Sequence, residues 1–165
     1  MKKVLSVDAS LCTGCRVCEV VCSLSKSKEG VVNPVKARVK VFKVDTEGID
    51  IPVMCQQCED ALCMDVCPVS ALQRDSKTGA IVVREETCVG CRACTLVCPY
   101  GAITVDVGTR VSSKCDLCGG DPQCARFCIT KAIRYERSDV ADTQRQAARM
   151  ESIARAFLRS REVAS

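Results

Sequence analysis

Alternating side chains mark the segment that precedes residue 45. Residues 35–41 alternate between apolar and basic residues, and this period of two predicts a strand with one basic face. The apolar positions are Val35, Ala37, Val39 and Val41, and the basic positions are Lys36, Arg38 and Lys40. The stretch "DTEG" (45–48) is a turn signal, and "IDIPV" (49–53) is expected to return as the second strand. The predicted hairpin presents either a solvated face or a docking edge for an acidic partner.

A helical period of apolar residues marks the C-terminal segment, 138–165. Ser138 or Asp139 can cap its N-terminus. The apolar stripe consists of Ala147, Met150, Ile153, Ala154, Phe157 and Leu158, and the arginines on other faces are Arg145, Arg149, Arg155 and Arg159. Such a helix either folds back on its own core or docks on a partner or a second copy of the chain, and the sequence leaves both open.

Between these two segments the predicted elements are short and repeated. Residues 4–18 align without gaps on residues 80–94. The stretches "CPVSAL" (67–72), "CPYGAI" (98–103) and "CITKAI" (128–133) each predict a short helical turn, and the last two lead into the strand-like "ITV" and "IRYE". A turn at Gly79 and a following strand are predicted within 73–87. The repeat unit is therefore a loop, a short helix and a strand.

The composition of the chain limits which side chains can fill its core. Sixteen of the 165 residues are cysteine, there is no histidine or tryptophan, and only five residues are aromatic. Large side chains therefore cannot fill the centre of the fold in the usual way. The first ten residues lack the apolar stretch of an export signal, and no stretch approaches the ~20 apolar residues of a membrane span. We expect a cytoplasmic protein with reduced thiols, and clustered reduced cysteines predict bound metal.

The cysteines fall into four groups of four, and none is left over. Group I is Cys12, Cys15, Cys18, Cys22; group II is Cys55, Cys58, Cys63, Cys67; group III is Cys88, Cys91, Cys94, Cys98; group IV is Cys115, Cys118, Cys124, Cys128. Group III matches C-x2-C-x2-C-x3-C-P, the run that binds cubane iron–sulfur clusters. Group I shares this spacing but has Ser23 in place of proline, whereas groups II and IV have a wider second gap.

The spacing favours four [4Fe–4S] clusters over zinc or disulfides. Two-residue gaps let one loop wrap three corners of a cubane, with Gly14 and Gly90 where close backbone approach or positive φ is needed. The fourth cysteine points away and serves a neighbouring cluster. Zinc ribbons instead use two C-x2-C pairs that a long hairpin separates, and the lack of histidine removes Cys/His zinc sites and Rieske centres.

The linker lengths favour a nested pairing of the four groups. Groups II and III are joined by a compact linker and should exchange fourth cysteines, which leaves groups I and IV to pair around them. The four expected ligand sets are site A (Cys12, Cys15, Cys18, Cys128), site B (Cys22, Cys115, Cys118, Cys124), site C (Cys55, Cys58, Cys63, Cys98) and site D (Cys67, Cys88, Cys91, Cys94). Sequential pairing of I with II and III with IV is the alternative.

The order of the groups and the stretch "CQQCEDALCMDVCPVSAL" (55–72) resemble the four-cluster electron-transfer subunits of molybdenum and tungsten oxidoreductases. These include the iron–sulfur subunits of formate dehydrogenases and of enzymes of the dimethyl-sulfoxide-reductase type. The resemblance implies an α+β fold of two nested bacterial-ferredoxin-like modules with a β-hairpin insertion and a C-terminal helix. A polyferredoxin domain would span 1–136, with groups II and III (about 50–110) as the inner module and groups I and IV as the outer one. The insertion would be 33–53, and 138–165 a docking helix.

The resemblance also implies a function. The chain would be a non-catalytic subunit of anaerobic metabolism that carries electrons between a tungsten- or molybdenum-pterin subunit and a flavin or other redox subunit. Its small size looks most like the small subunit of a tungsten aldehyde oxidoreductase complex. The alternatives are a free polyferredoxin, or a subunit of a hydrogenase or CO dehydrogenase complex. Nucleic acid is not the expected partner, because four oxidised clusters add a charge of about −8 to the formal +4 of the chain.

Overall fold

The computed structural model describes residues 3–27, 29–144, 146–147 and 149–151. Its strands are β1 (Lys3–Val7), β2 (Val39–Val44), β3 (Ile49–Met54), β4 (Leu72–Arg74), β5 (Ile81–Val83), β6 (Ile103–Val105), β7 (Ser112–Lys114) and β8 (Ile133–Arg137). Its helices include α1 (Val17–Lys26), α2 (Leu62–Asp65), α3 (Ala93–Val97) and α4 (Gln123–Arg126). The strands pair in four two-stranded antiparallel sheets, so the fold is α+β with small elements.

One sheet joins the two ends of the described domain. Strand β1 pairs with β8 from Lys3 opposite Arg137 to Val7 opposite Ile133. Helix α1 packs against α4 on the same side of the fold. The cysteines of groups I and IV are therefore close in space although most of the chain separates them.

The middle of the chain forms two short hairpins, β4–β5 and β6–β7, which confirms the strand expected after Gly79. An aspartate begins each turn: Asp75 accepts hydrogen bonds from Thr78, and Asp106 accepts them from the N–H groups of Gly108 and Thr109. Helices α2 and α3 pack against each other between these hairpins. The cysteines of groups II and III therefore lie around one compact unit.

The insertion pairs β2 with β3 but differs from the prediction at its start. Pro34–Lys36 form a 3₁₀ turn that the Asn33 side chain caps, so the predicted strand begins only at Val39. The single basic face expected over 35–41 is absent for the same reason. The insertion is anchored to α1, because the buried carboxylate of Glu19 accepts a 2.6 Å hydrogen bond from the N–H of Val41.

The core contains many cysteines and few large side chains. One buried cluster holds Leu5, Val39, Met54, Leu117 and Ile133 together with cysteines of groups I, II and IV. A second, smaller cluster holds Leu72, Ile81 and Ile103 with cysteines of groups II and III. Such a core buries little aliphatic surface for its size, as the composition predicts.

The C-terminal segment is helical over residues 138–144, 146–147 and 149–151. Ala141 is fully buried, whereas Met150 is exposed. Asp139 forms an ion pair with Arg137 at the start of this helix. The predicted stripe residues Ile153, Ala154, Phe157 and Leu158, and also Arg145, Arg155 and Arg159, lie outside the described residues.

Candidate iron–sulfur centres

The first two cysteines of groups I and III are connected by loops that require glycine. Gly14 and Gly90 have φ angles of +65° and +68°, in the left-handed region. A Cβ atom at Gly14 would lie 2.5 Å from the Asp50 carboxylate, and one at Gly90 would lie 2.2 Å from the Arg110 carbonyl oxygen. Both the conformation and the close backbone approach expected from the sequence are therefore present.

Groups II and IV form the same loop without glycine, which sequence reasoning missed. Gln57 and Leu117 stand where groups I and III have glycine, and their φ angles are +52° and +57°. Both side chains are buried, Gln57 at 4% and Leu117 at 1% exposure. The signal was available in the alignment of the four C-x2-C pairs, because equivalent positions in a repeated loop should share a backbone conformation. The strain of left-handed backbone is offset here by buried contacts of the side chains.

The fourth cysteines of groups II, III and IV share a second turn. The third residue after each has positive φ: Ser70 (+49°), Gly101 (+57°) and Lys131 (+59°). The chain then turns back so that an N–H group points at the sulfur. The donors are Ala71 to Cys67 (3.2 Å), Ala102 to Cys98 (3.4 Å) and Ile133 to Cys128 (3.4 Å). Such donors stabilise thiolate sulfur, the form that binds metal.

Cys22 obtains its donor in a different way. Helix α1 continues past Cys22 to Lys26, so no turn follows the cysteine. Ser23, at the proline position, is instead buried and donates to the carbonyl of Val20. The N–H of Arg38 in the insertion donates to the Cys22 sulfur over 3.2 Å. The insertion therefore supplies what the turn supplies in the other three groups.

The thiols of site B line one small cavity of about 10 Å³. Cys22, Cys115, Cys118 and Cys124 all line it, although they come from opposite ends of the chain. The other lining residues are Lys26, Arg38, Val39, Met54, Asp116 and Pro122. A cavity with four converging thiols and cationic residues in its wall fits an anionic cubane cluster. Nested pairing assigns these four thiols to one cluster, and that assignment stays a prediction.

Two cations hold the wall of this cavity together. Asp116 accepts 2.8 Å hydrogen bonds from Lys26 of α1 and from Arg38 of the insertion. Burial alone would raise the pKa of Asp116, but the hydrogen bond from Lys26 and the charges of Arg38 and Lys26 lower it below its usual value. The carboxylate thus joins three separate segments of the chain beside the thiols.

The thiols of site C are also neighbours. Burial raises the pKa of Cys63, and the nearby Cys55 and Cys98 thiolates raise it further, whereas the charge of Lys114 opposes them. Cys98 comes from group III and the other two from group II. The exchange of fourth cysteines between groups II and III stays a prediction.

Sites A and D are outlined less fully. Cys12 and Cys15 lie close enough to Cys18 to raise its pKa, and Cys12 and Cys128 pack against the same buried cluster.

Around site D, the hydroxyl of Ser112 lies 3.6 Å from the Cys88 sulfur and 3.3 Å from the Cys94 sulfur. Cys67 and Cys94 belong to the second buried cluster. Sequence reasoning missed Ser112, which precedes group IV in the chain but serves the thiols of group III.

Burial makes several of these thiols difficult to ionise without metal. It raises the pKa of Cys18 and of Cys115 to about 12, and it raises the pKa of Cys124 further. Cluster binding must therefore displace protons from these sulfurs. Cys88 differs: burial would raise its pKa, but hydrogen bonds from the N–H groups of Ser112 and Gly90 and from the Ser112 hydroxyl lower it.

Within the described ranges, no three Cys, Asp or Glu side chains converge closely enough to hold a single metal ion. Also within those ranges, no helix is both long and apolar enough to cross a membrane.

Comparisons with known proteins agree with this chemistry. Residues 47–138 match a family model described as a 4Fe–4S dicluster domain. The polyferredoxin-like subunit of an aliphatic sulfonate oxidoreductase from Pyrococcus furiosus is 46% identical over 71% of this chain and 66% of that protein. The electron transport protein HydN of Escherichia coli K12 is 35% identical over 81% of this chain and 87% of HydN. Formate hydrogenlyase subunit 2 of the same organism is 32% identical, over 86% of this chain and 85% of that subunit.

The family model covers more than half of the chain, and two of these relatives align over most of their own length. The relatives are described as electron transport proteins or as subunits, and the matching domain is named for its [4Fe–4S] clusters. The chain therefore belongs to the family of 4Fe–4S dicluster, ferredoxin-like electron-transfer subunits: it binds [4Fe–4S] clusters and is not itself an enzyme.

Proposed function

We propose that all sixteen cysteines bind four [4Fe–4S] clusters in the nested sites A to D, and that the chain carries single electrons between two other redox subunits. The observation that carries this proposal is the cavity of site B. There Cys22 of group I lies with Cys115, Cys118 and Cys124 of group IV. Sequential pairing would instead place Cys22 with group II.

Each bound cluster accepts and releases one electron at a time. The chain's own residues set the order of the four sites. Helix α1 carries Cys18 of site A and Cys22 of site B one turn apart, so these sites are neighbours. Helix α3 likewise begins beside Cys94 of site D and ends at Cys98 of site C.

The two modules meet where site B lies beside site C. The Cys55 and Cys115 thiols are close enough for Cys55 to raise the pKa of Cys115 after the larger effect of burial. The order A–B–C–D follows, with A and D at the ends. Neighbouring sites within a module share a helix, and the modules meet at the first cysteines of groups II and IV.

The two ends of this order are accessible. Cys15 of site A and Cys91 of site D are exposed, whereas the other fourteen cysteines are buried or half-buried. Ile129, one residue after Cys128 of site A, is 87% exposed, and Leu96, between Cys94 of site D and Cys98, is 86% exposed. Exposed apolar side chains beside an accessible ligand suit the docking of partner subunits. Electrons would enter at one end and leave at the other.

We propose a tungsten- or molybdenum-pterin catalytic subunit as one partner and a flavin or other redox subunit as the second. The support is the resemblance of groups I to IV to that class and the description of a 46% identical relative as one subunit of an oxidoreductase. An aldehyde oxidoreductase is the narrower proposal for the catalytic partner. All sixteen cysteines are free thiols, which suits a reducing cytoplasmic location.

We also propose that the C-terminal segment docks on another chain. Ala141 is buried against the domain, but nine residues later Met150, within the predicted apolar stripe, is 60% exposed. A chain truncated after residue 145 should keep its clusters and lose part of its complex. An unchanged assembly would show that the segment does not dock.

The test is anaerobic purification of the native complex, with iron, sulfide, zinc, tungsten and molybdenum analysis of each subunit. Sixteen irons on this chain and a co-eluting tungsten or molybdenum subunit are expected. About eight irons or stoichiometric zinc would contradict the ligand assignment. A fully loaded chain that elutes alone would instead indicate a free carrier.

A further inference from the structure

A buried ammonium group lies at the junction of the two modules. Lys114 is 3% exposed. Its Nζ donates to the carbonyl oxygens of Ile81 and Cys115 and to the side-chain oxygen of Gln57. All three acceptors are neutral, and no Asp or Glu within the described ranges forms an ion pair with it.

Burying such a charge lowers the stability of the fold unless negative charge lies nearby, because a low-dielectric interior solvates an ammonium poorly. Cys115 of site B follows Lys114 directly, and its carbonyl oxygen accepts from the Lys114 ammonium over 2.9 Å. Gln57, another acceptor, lies in the loop between Cys55 and Cys58 of site C, and its N–H donates to the Cys55 sulfur. The ammonium thus lies between two proposed ligand sets rather than beside one.

The fold fixes the position of this charge. Lys114 ends β7, whose pairing with β6 places the buried residues Ser112 and Lys114 on the same side of the strand. Gln57 holds the junction from the other module: its side chain donates to the Cys115 carbonyl and accepts from the N–H of Ile81, both at 2.8 Å. The ammonium therefore has little freedom to move away when the charge on its neighbours changes.

We propose that Lys114 is a tuning residue whose fixed charge raises the reduction potentials of the clusters in sites B and C together. This inference rests on the proposed ligand sets. One-electron reduction adds one negative charge to a site, and a nearby cation stabilises the reduced form more than the oxidised form. Because the electrostatic effect weakens with distance, the reduction potentials of sites B and C rise more than those of sites A and D. Lys114 thus favours the reduced state at the two sites where the modules meet.

The test is a redox titration of the full chain, monitored by electron paramagnetic resonance, for the native protein, three Lys114 variants and one control variant. Lys114→Gln removes the charge and keeps a hydrogen-bond donor, and Lys114→Met removes both. Lys114→Arg keeps the charge. Lys43→Gln, at an exposed position of β2, is the matched control for the loss of one positive charge.

Both neutral variants should lower two of the four midpoint potentials and leave the other two close to native. Lys114→Arg should stay closer to the native potentials than the neutral variants, and Lys43→Gln should match the native protein. Unchanged potentials, or an equal shift of all four, in a fully loaded Lys114→Gln protein would overturn the proposal.

Cluster assembly gives a second measurement if the neutral variants do not load. Loading of Lys114→Arg but of neither neutral variant would support the role of the charge. Failure of all three Lys114 variants would overturn it in favour of a purely geometric requirement. Iron content is measured first on the native chain, so fewer than four clusters there would reject the proposed function independently of this inference.

Discussion

Three glycines with positive φ form a graded test of the cluster-binding loops. Replacement by alanine imposes left-handed backbone on a residue with a Cβ, at a cost of about 1–2 kcal/mol. At Gly101 (φ +57°) nothing lies within 4 Å of the new Cβ, so this conformational cost is the whole effect. At Gly14 the Cβ would also meet the Asp50 carboxylate at 2.5 Å, a side-chain group that can rotate away.

Gly90 is the most demanding position. Its Cβ would lie 2.2 Å from the Arg110 carbonyl oxygen, which is backbone and cannot rotate away. Arg110 lies in the turn between β6 and β7, and its N–H is bonded to Asp106, so relief requires the hairpin to shift. Overpacking of this kind adds about 1–3 kcal/mol, which gives a total of about 2–5 kcal/mol for Gly90→Ala.

The assay is the loss of visible cluster absorbance in increasing guanidinium under anaerobic conditions, with iron content measured beforehand. The expected order of destabilisation is Gly90→Ala, then Gly14→Ala, then Gly101→Ala. Because Ser70 and Lys131 adopt positive φ at the positions equivalent to Gly101, that variant should remain close to native. Equal midpoints for Gly90→Ala and Gly101→Ala would refute the claim that close backbone approach, rather than φ alone, selects glycine at Gly90.

Three further predictions concern the ligand sets, the cavity wall and the exposed ends. The Cys22→Ser protein should lose the cluster of site B and keep iron on the three group I cysteines of site A. Crystallographic assignment of Cys22 to the cluster of Cys55 would contradict this. Asp116→Asn should lower stability at neutral pH by about 1 kcal/mol, because the carboxylate and both cations are partly exposed. Since the folded pKa of Asp116 is lowered from 3.8, its contribution is present above that pH and lost as the pH falls below it. Native and variant unfolding midpoints should therefore converge in acid, and a gap that persists there would contradict the assignment. Leu96→Glu should leave cluster content unchanged and slow electron transfer to one partner, with the equally exposed Val107→Glu as control; equal rates for the two variants would reject the docking role of Leu96.

The sequence was most informative where a chemical requirement is strict. A cubane loop needs tight backbone next to its thiols, so Gly14 and Gly90 were predictable from spacing alone. The short helices and the strands after groups III and IV followed from the repeat. The pairing of β1 with β8 brings groups I and IV together, but hydrophobic pattern cannot reveal contacts between the chain ends.

The sequence was less informative where tertiary contacts override a local pattern. Alternation over 35–41 predicted one strand, yet Pro34 and the Asn33 cap favour a 3₁₀ turn there. The burial of Lys114 could not be predicted, because a lone lysine before a cysteine is ordinarily a surface residue. Its burial depends on Gln57 and on the Ile81 carbonyl, which are distant from Lys114 in the sequence and lie beside it only in the folded chain.

The insertion at 33–53 has a physical reason in the structure. In groups II, III and IV, a turn with positive φ after the fourth cysteine returns an N–H to its sulfur. Group I cannot form this turn, because α1 continues through Cys22 and buries Ser23. The N–H of Arg38 takes over that contact, while its guanidinium binds Asp116 and the N–H of Val41 binds Glu19 of α1. The same segment thus replaces the missing donor and closes the wall of the cavity, so shortening the insertion should affect site B before any other site.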